Sequence, residues 1–314
     1  MQAQDGHNLL PGKDIITSPV KINTVTAIIP TLAEENRSSL VRSIISLENS
    51  ITERDLLDIL VIVNGNRYSE SVLTDLRDLN VKTFQISQSS SPEAILEGRR
   101  HVMTEYFCFL DDDDEYLPNA LDNRLNILIN NSDLDFVVSN GIRVNSEITS
   151  PTFQYLKEVG NDPLLALFKE NWLASCGGLF RSSSIGQEYF ECPHPYLEWT
   201  WLAFRLVMAN KAVGILDQPT FRIYDTPGSA SKSEEYLLAH IGLFYRMMKY
   251  RPRQDIQDIL RQKLAGSWHT ISDNYRQQHK LIKAWHAHLK SISCIQGWKY
   301  ISYTRKLLLD SVRR

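Results

Sequence analysis

Cysteine is scarce in this chain, and its four copies, Cys108, Cys176, Cys192 and Cys294, are never spaced as CxxC. No histidine completes a zinc spacing either. A zinc module and a disulfide-framed scaffold are therefore excluded, and reduced, partly buried thiols in a cytoplasmic setting are expected. Charge of one sign is also missing: 34 basic and 37 acidic residues leave a net of −3, which gives no positive field for a nucleic acid. No apolar run reaches the length that spans a bilayer. The opening MQAQDGHNLLPGKD is polar, without a basic region followed by an apolar one, so a signal peptide is not expected. Two phosphate-binding signatures are absent as well. There is no GxxxxGK followed by Ser or Thr, and no GxGxxG after the first strand, which disfavours a P-loop kinase or ATPase and a dinucleotide-binding enzyme.

Apolar residues, by contrast, make up 43% of the 314, enough for one large α/β domain with an appendage. Residues 1–22 read as a loose leader with Pro11, Gly12 and Pro19. TVTAIIP, 24–30, is a buried strand stopped by Pro30. SSLVRSIISLENSI then sets Leu40, Val41, Ile44, Ile45 and Leu47 at helical spacing. A strand at 59–63 ends in Asn64-Gly65, followed by a helix near 70–79, a strand at 81–86, a helix near 92–103 and the strand YFCFL. Apolar strands alternating with helices predict an α/β fold, its sheet mostly parallel and covered on both faces. Ligands of such sheets sit beyond the C-terminal strand ends, which here carry Thr31, Asn64 and Asp111 to Asp114. Further along, the pattern predicts a helix near 118–130, a strand and turn in DFVVSNGIRV, a helix near 161–170, a helix over LEWTWLAFRLVMAN and a strand in AVGILD. From residue 233 to 314 the chain is aromatic, almost free of glycine and without strand alternation, predicting two to four helices.

Four consecutive carboxylates, Asp111 to Asp114, follow directly on the apolar strand YFCFL. A run of acids is ordinarily solvated surface. Placed at the end of a buried strand, it carries a mutual repulsion that a cation compensates. Hard ions such as Mg²⁺ or Mn²⁺ take oxygen ligands and bridge to phosphates. A metal–diphosphate site is the expectation, with a plain acidic surface as the alternative.

These segments resemble glycosyltransferase family 2, with its GT-A-like fold, over roughly residues 23–232. The opening strand ending in Pro-Thr matches AIIPT, and FLDDDD matches the acidic motif, with Asp111 and Asp113 at the two positions of Asp-x-Asp. The resemblance implies a donor-nucleotide half, 23–114, an acceptor half, 115–232, and a separate C-terminal helical region, 233–314. It implies a nucleotide-sugar, a UDP-sugar being favoured, bound by Pro30, Thr31, Ala33, Glu34, Asn64, Ala94, Gly98, Asp111, Asp112 and Arg222. Mn²⁺ or Mg²⁺ is implied at Asp113, with Asp111 and Asp225 as further ligands. Two positions of the donor half depart from the family: Asn64 stands where an aspartate usually reads the base, and Ala94-Ile95 stands where the family has Ala-Arg, leaving Arg99 or Arg100 to supply the charge. CGGLFR, 176–181, resembles the loop on the acceptor side, and FRIYDTPGSAS the closing loop. Near LEWTWLAFRL the family has Glu-Asp, and this chain has Glu198-Trp199, so the catalytic base falls to Glu198. A helix-start glutamate favoured by the dipole is its structural alternative. Trp199 and Trp201 are candidates for stacking on a sugar or for core packing.

The activity implied is inverting transfer of the sugar to a hydroxyl of a glycan, a lipid-linked or another carbohydrate-containing acceptor. A nucleotidyltransferase would share the core and metal, but TLAEENRSS after the first strand has no glycine to grip a triphosphate. A degenerate scaffolding homologue would not need the retained Asp111, Asp113 and Glu198. For residues 233–314, with His269, His279, His286 and His288 read as solvated helix histidines, the open roles are packing on the catalytic domain, a homodimer contact and a peripheral contact at the cytoplasmic membrane face.

Overall fold

Val25–Thr31 forms β1, and its residues Val25, Ala27, Ile28 and Ile29 are wholly excluded from solvent. Only a central strand covered on both faces demands such a run. The computed structural model of the chain describes residues 23–31, 37–65, 81–87, 90–145, 148–225 and 234–312, with 74, 76, 77 and 79 between them. The leader, Ala33, Glu34, most of the helix expected near 70–79, and the loop from Thr226 to Ser231 lie outside the described residues.

After β1 come α1 (Arg37–Glu48), β2 (Leu57–Asn64), β3 (Lys82–Ile86), α2 (Ser91–Arg100) and β4 (Tyr106–Phe109). These four strands are parallel in the order β3-β2-β1-β4, with Val25 facing Leu57 on one side and Tyr106 on the other. Their C-terminal ends therefore share one edge, as the alternating pattern predicts. Helix α2 starts where Ser90 accepts the Glu93 N–H and Pro92 fills the first turn. Gly98 lets this helix lie against the sheet: a Cβ there would come within 2.4 Å of Ile28 Cγ2.

The second half adds β5 (Glu115–Tyr116), α3 (Ala120–Asn130), β6 (Phe136–Val144), β7 (Thr149–Pro151), α4 (Pro163–Lys169), β8 (Gly178–Arg181), α5 (Glu198–Met208) and β9 (Val213–Tyr224). Strand β8 pairs antiparallel with β4 and with β6, β9 runs parallel to β6, and β5 and β7 are short antiparallel additions. Parallel pairing still accounts for most of the paired length. Three local expectations are corrected. DFVVSNGIRV holds no turn: β6 runs through Asn140-Gly141, because the Asn140 side chain accepts the Gly141 and Phe153 N–H groups and Gly141 leaves room for the Phe221 ring. AVGILD and FRIY are one strand, with Pro219 beside the register shift around Asn140, where a missing N–H is tolerated. GLFR is a buried strand rather than a loop.

The core is built on Phe107, Phe109, Phe136 and Phe180, stacked or edge-on across β4, β8 and β6. It continues into the C-terminal region, where α6 (Glu234–Lys249), α7 (Gln254–Gln277), α8 (Leu281–Ser293) and α9 (Tyr303–Val312) follow. Leu243 and Met247 of α6 and Ile256 and Leu260 of α7 are fully buried in the same cluster as β1. The histidines are not uniformly solvated. His288 is completely buried, with Nε2 hydrogen-bonded to Thr304 Oγ1 at 2.8 Å, and His269 stacks on Tyr300. His279 and His286 are exposed. Among the described residues no helix is long and apolar enough to cross a membrane.

Candidate active site

At the end of β4 the chain turns. The Leu110 N–H donates to Ile28 O, and the Asp114 N–H closes back on Asp111 O at 3.2 Å. The four acids of this turn divide into two kinds. Asp114 is buried and structural. Its Oδ1 accepts the Tyr224 N–H at 3.1 Å, its Oδ2 accepts the Cys176 thiol at 3.8 Å, and its carbonyl accepts the Ser43 hydroxyl at 2.6 Å. Burial, with Asp111 and Asp113 alongside, pushes its carboxyl up to about 9. Asp111, Asp112 and Asp113 are only half-buried. Ser175 donates to Asp111 Oδ2 at 2.5 Å, and Thr31 donates to Asp112 Oδ2 at 2.5 Å. The end of β1 and the turn before β8 thus fix two of the acids from opposite sides.

Burial pushes the Asp111 carboxyl up to about 7, and the charges of Asp113, Asp112 and Glu198 act in the same direction against the Ser175 hydrogen bond. Glu198 therefore belongs to the electrostatic surroundings of the acidic turn. It begins α5, its Oε1 accepts the Tyr196 N–H at 3.0 Å, and burial raises its pKa while the backbone N–H groups of the helix start lower it. A cavity of 20 Å³, about the size of one water, lies against Glu198, Trp199, Pro92 and Ile95. Trp199 is half-buried with its ring edge-on to Phe109 at 5.1 Å. Trp201 is core: fully buried, stacked on Phe204, and covered by the Arg246 guanidinium at 4.1 Å.

The remaining expected residues are dispersed around this centre. Asn64 ends β2, and its Oδ1 accepts the Ser90 N–H at 2.6 Å, which leaves its amide N–H groups as the free half of the side chain. Pro30 is half-buried at the end of β1. Ala94 is fully buried and Gly98 abuts Ile28 and Ile62, so both serve helix–sheet packing. Arg99 is buried over the Phe107 ring and donates to the Ser182 and Ile185 carbonyls, while Arg100 pairs with Glu97. Neither brings charge to the acidic turn. Arg222 faces Glu115 across the β5–β9 pair and forms an ion pair with it at 3.1 Å. Asp225 is exposed just past Tyr224.

Sequence reasoning missed three participants. Ser175 holds Asp111. Arg42 of α1 donates to the Asp113 carbonyl at 2.8 Å, pairs with Glu115 at 2.7 Å and lies over the Tyr224 ring. Glu115 in turn accepts the Tyr224 hydroxyl at 3.0 Å. Ser175 sits beside the flagged CGGLFR motif, so a signal existed. Arg42 stands on a helix 73 positions before its partner, and nothing local marks it. Among the described residues no three His, Cys, Asp or Glu side chains are set to hold a metal ion. The oxygens at the turn are the donors hard cations take, and phosphate oxygens of a ligand would have to complete their coordination.

A family model, Glycosyl transferase family 2, matches residues 26–183. No curated protein matches the chain. Among solved structures, S. aureus TarS 1–349 in complex with UDP-GlcNAc is 13% identical with a TM-score of 0.61, over 86% of this chain and 80% of that one. The same protein in complex with UDP is 14% identical with a TM-score of 0.54, over 83% and 75%. At such identity the likeness is one of fold. The family match spans half the sequence and runs from β1 through the acidic turn to the end of β8, and on that ground the chain belongs to glycosyltransferase family 2 and is a glycosyltransferase.

Proposed function

We propose that this enzyme transfers a sugar, with inversion, from a UDP-sugar to a hydroxyl of a carbohydrate-containing acceptor, in a Mn²⁺- or Mg²⁺-dependent reaction in the cytoplasm. The observation that carries the reading is the acidic turn. Asp111 and Asp112 are each fixed by a hydroxyl, Asp113 lies between them and the structural Asp114, and burial together with the neighbouring carboxylates raises the pKa values of Asp111 and Asp114. A divalent cation relieves such repulsion, and Asp113 with Asp111 would hold it. When bound, the ion supplies the positive charge that stabilises the departing diphosphate. Asn64 offers amide N–H groups at the end of β2, where the base of a nucleotide lies in sheets of this kind. Glu198 accepts the proton of the acceptor hydroxyl as its oxygen attacks the anomeric carbon, and Trp199 walls the approach. TarS, similar in fold, has been solved with UDP and with UDP-GlcNAc, which favours uridine among the nucleotides.

Calorimetry with UDP tests both parts. Binding should need Mn²⁺ or Mg²⁺ and vanish in EDTA, and Asp113→Asn should lose the metal-dependent component and reduce transfer by orders of magnitude while the melting temperature holds. Tight binding that EDTA leaves unchanged would sink the metal bridge. Preference for a guanine or thymine nucleotide would sink only the uridine assignment.

A further inference from the structure

The last 36 residues, 279–314, hold eight basic residues and one acidic one, a net of +7, so the preceding 278 carry −10. Six of the eight basic residues, Lys280 to Lys306, lie on or beside α8 and α9 among the described residues. Helix α8 packs on α7 through Ser272 and Ser291, whose hydroxyls donate to Ala284 O and Ala265 O. Helix α9 packs on the same helix through Arg276, which contacts Asp310 and the Tyr303 hydroxyl. The two then lie side by side, joined by Trp285 Nε1 to Ser311 Oγ and by His288 to Thr304. Ile282 and Leu289, seven positions apart, share one face of α8.

The exposed side chains here are apolar where solvent would favour polar residues. Ile282 is 89% exposed and Trp298 72%, and Leu289, Ile295, Ile301 and Leu308 are all more than half exposed. Interspersed are Lys283, Lys290, Lys299 and Arg305, each exposed. The one acid, Asp310, is already paired with Arg276. Exposed tryptophan and isoleucine interspersed with lysines form the pattern of a face that enters a lipid headgroup layer. Such a face is attracted by anionic lipid. A second copy of the chain would fit less well, because a self-complementary contact sets two basic faces against each other.

We infer that α8, α9 and the segment between them form a docking surface for an anionic membrane, on which the enzyme rests without crossing it. The test is co-sedimentation of the full-length protein with vesicles of phosphatidylcholine, alone or with about a third phosphatidylglycerol. Two double variants accompany it: Trp298→Ser with Ile301→Ser removes apolar contact, and Lys283→Glu with Arg305→Glu reverses charge. All four positions are exposed, so an unchanged melting temperature verifies the fold. Partition into the anionic vesicles only is expected, weakening steeply with salt and falling about tenfold or more in each double variant. The inference is overturned if the wild type ignores anionic vesicles at low salt, if neutral vesicles bind equally, or if both variants partition like the wild type. It is also overturned if ultracentrifugation shows a dimer that Trp298→Ser with Ile301→Ser dissolves, since the face would then be a contact between copies.

Discussion

Glu198 sits where two demands on a carboxylate meet. A helix start favours its charge, while burial disfavours it and raises its pKa. A base must be ionised to act, so the rate of transfer should fall on the acid side as pH drops through that raised value, and turnover should be lost by roughly a hundredfold or more in Glu198→Gln. Donor affinity should hold in the mutant. If UDP affinity is lost together with turnover, Glu198 works on the donor side instead. Two of the three departures from the family pattern, Ile95 and Trp199, were legible in the sequence as separate oddities. The structure makes them one: both line the same small cavity beside Glu198. Two positions that are charged in the family pattern are apolar here and meet in space although they stand 104 positions apart in the chain. Ile95→Arg alone should therefore destabilise, because a long charged side chain overfills a buried site beside a cavity of 20 Å³. Adding Trp199→Asp should recover part of the loss, so a double-mutant cycle on melting temperature would show coupling. Strictly additive effects would separate the two sites.

At the scale of elements, the sequence pattern placed β1 to β4, α1 and α2 within a few residues, because their periods are unambiguous. It failed where geometry depends on remote partners. Strand β6 passes straight through Asn140-Gly141, a turn signal by composition, because the Asn140 side chain is occupied by Phe153 and Asp217. The fourth aspartate shows the same limit. Read as part of a charged run, Asp114 is a tie between α1, β9 and the turn before β8. Its carboxyl is raised from 3.8 to about 9, so the folded chain keeps a proton that the unfolded chain releases. That stabilisation is full below the unfolded value and is lost as pH rises through the folded one. Asp114→Asn stays neutral at every pH and still offers an oxygen to the Tyr224 N–H. With EDTA present, urea midpoints of this variant should decline less than the wild type's between about pH 5 and pH 9. Equal slopes would mean that Asp114 is ionised in the folded protein.

Over the whole molecule, the C-terminal helices were legible as helices but not as part of the catalytic core. Amphipathic periodicity names a buried face and not the surface it meets. The structure supplies that surface. Tyr250 meets Trp201 edge-on, and Arg246 covers the same indole while donating to the Pro193 and Cys192 carbonyls. His194 is hydrogen-bonded to Ala239 O at 2.8 Å, and Arg253 is paired with Asp162. The loop that leads into Glu198 is thus clamped from α6. Because Leu243, Met247, Ile256 and Leu260 share one core with β1, the catalytic sheet and α6–α7 should unfold together. Leu260 is wholly buried, so Leu260→Ala should cost roughly 2–5 kcal/mol. That loss should appear as a single transition moved to lower temperature, with helix content by circular dichroism and tryptophan fluorescence falling in step. With Trp268, Trp285 and Trp298 replaced by Phe, the fluorescence reports on the catalytic part through Trp172 and Trp201, both buried there. If the variant instead lost helix signal first and fluorescence later, α6 and α7 would be an independently folding appendage, and the clamp on the Glu198 loop could not depend on them.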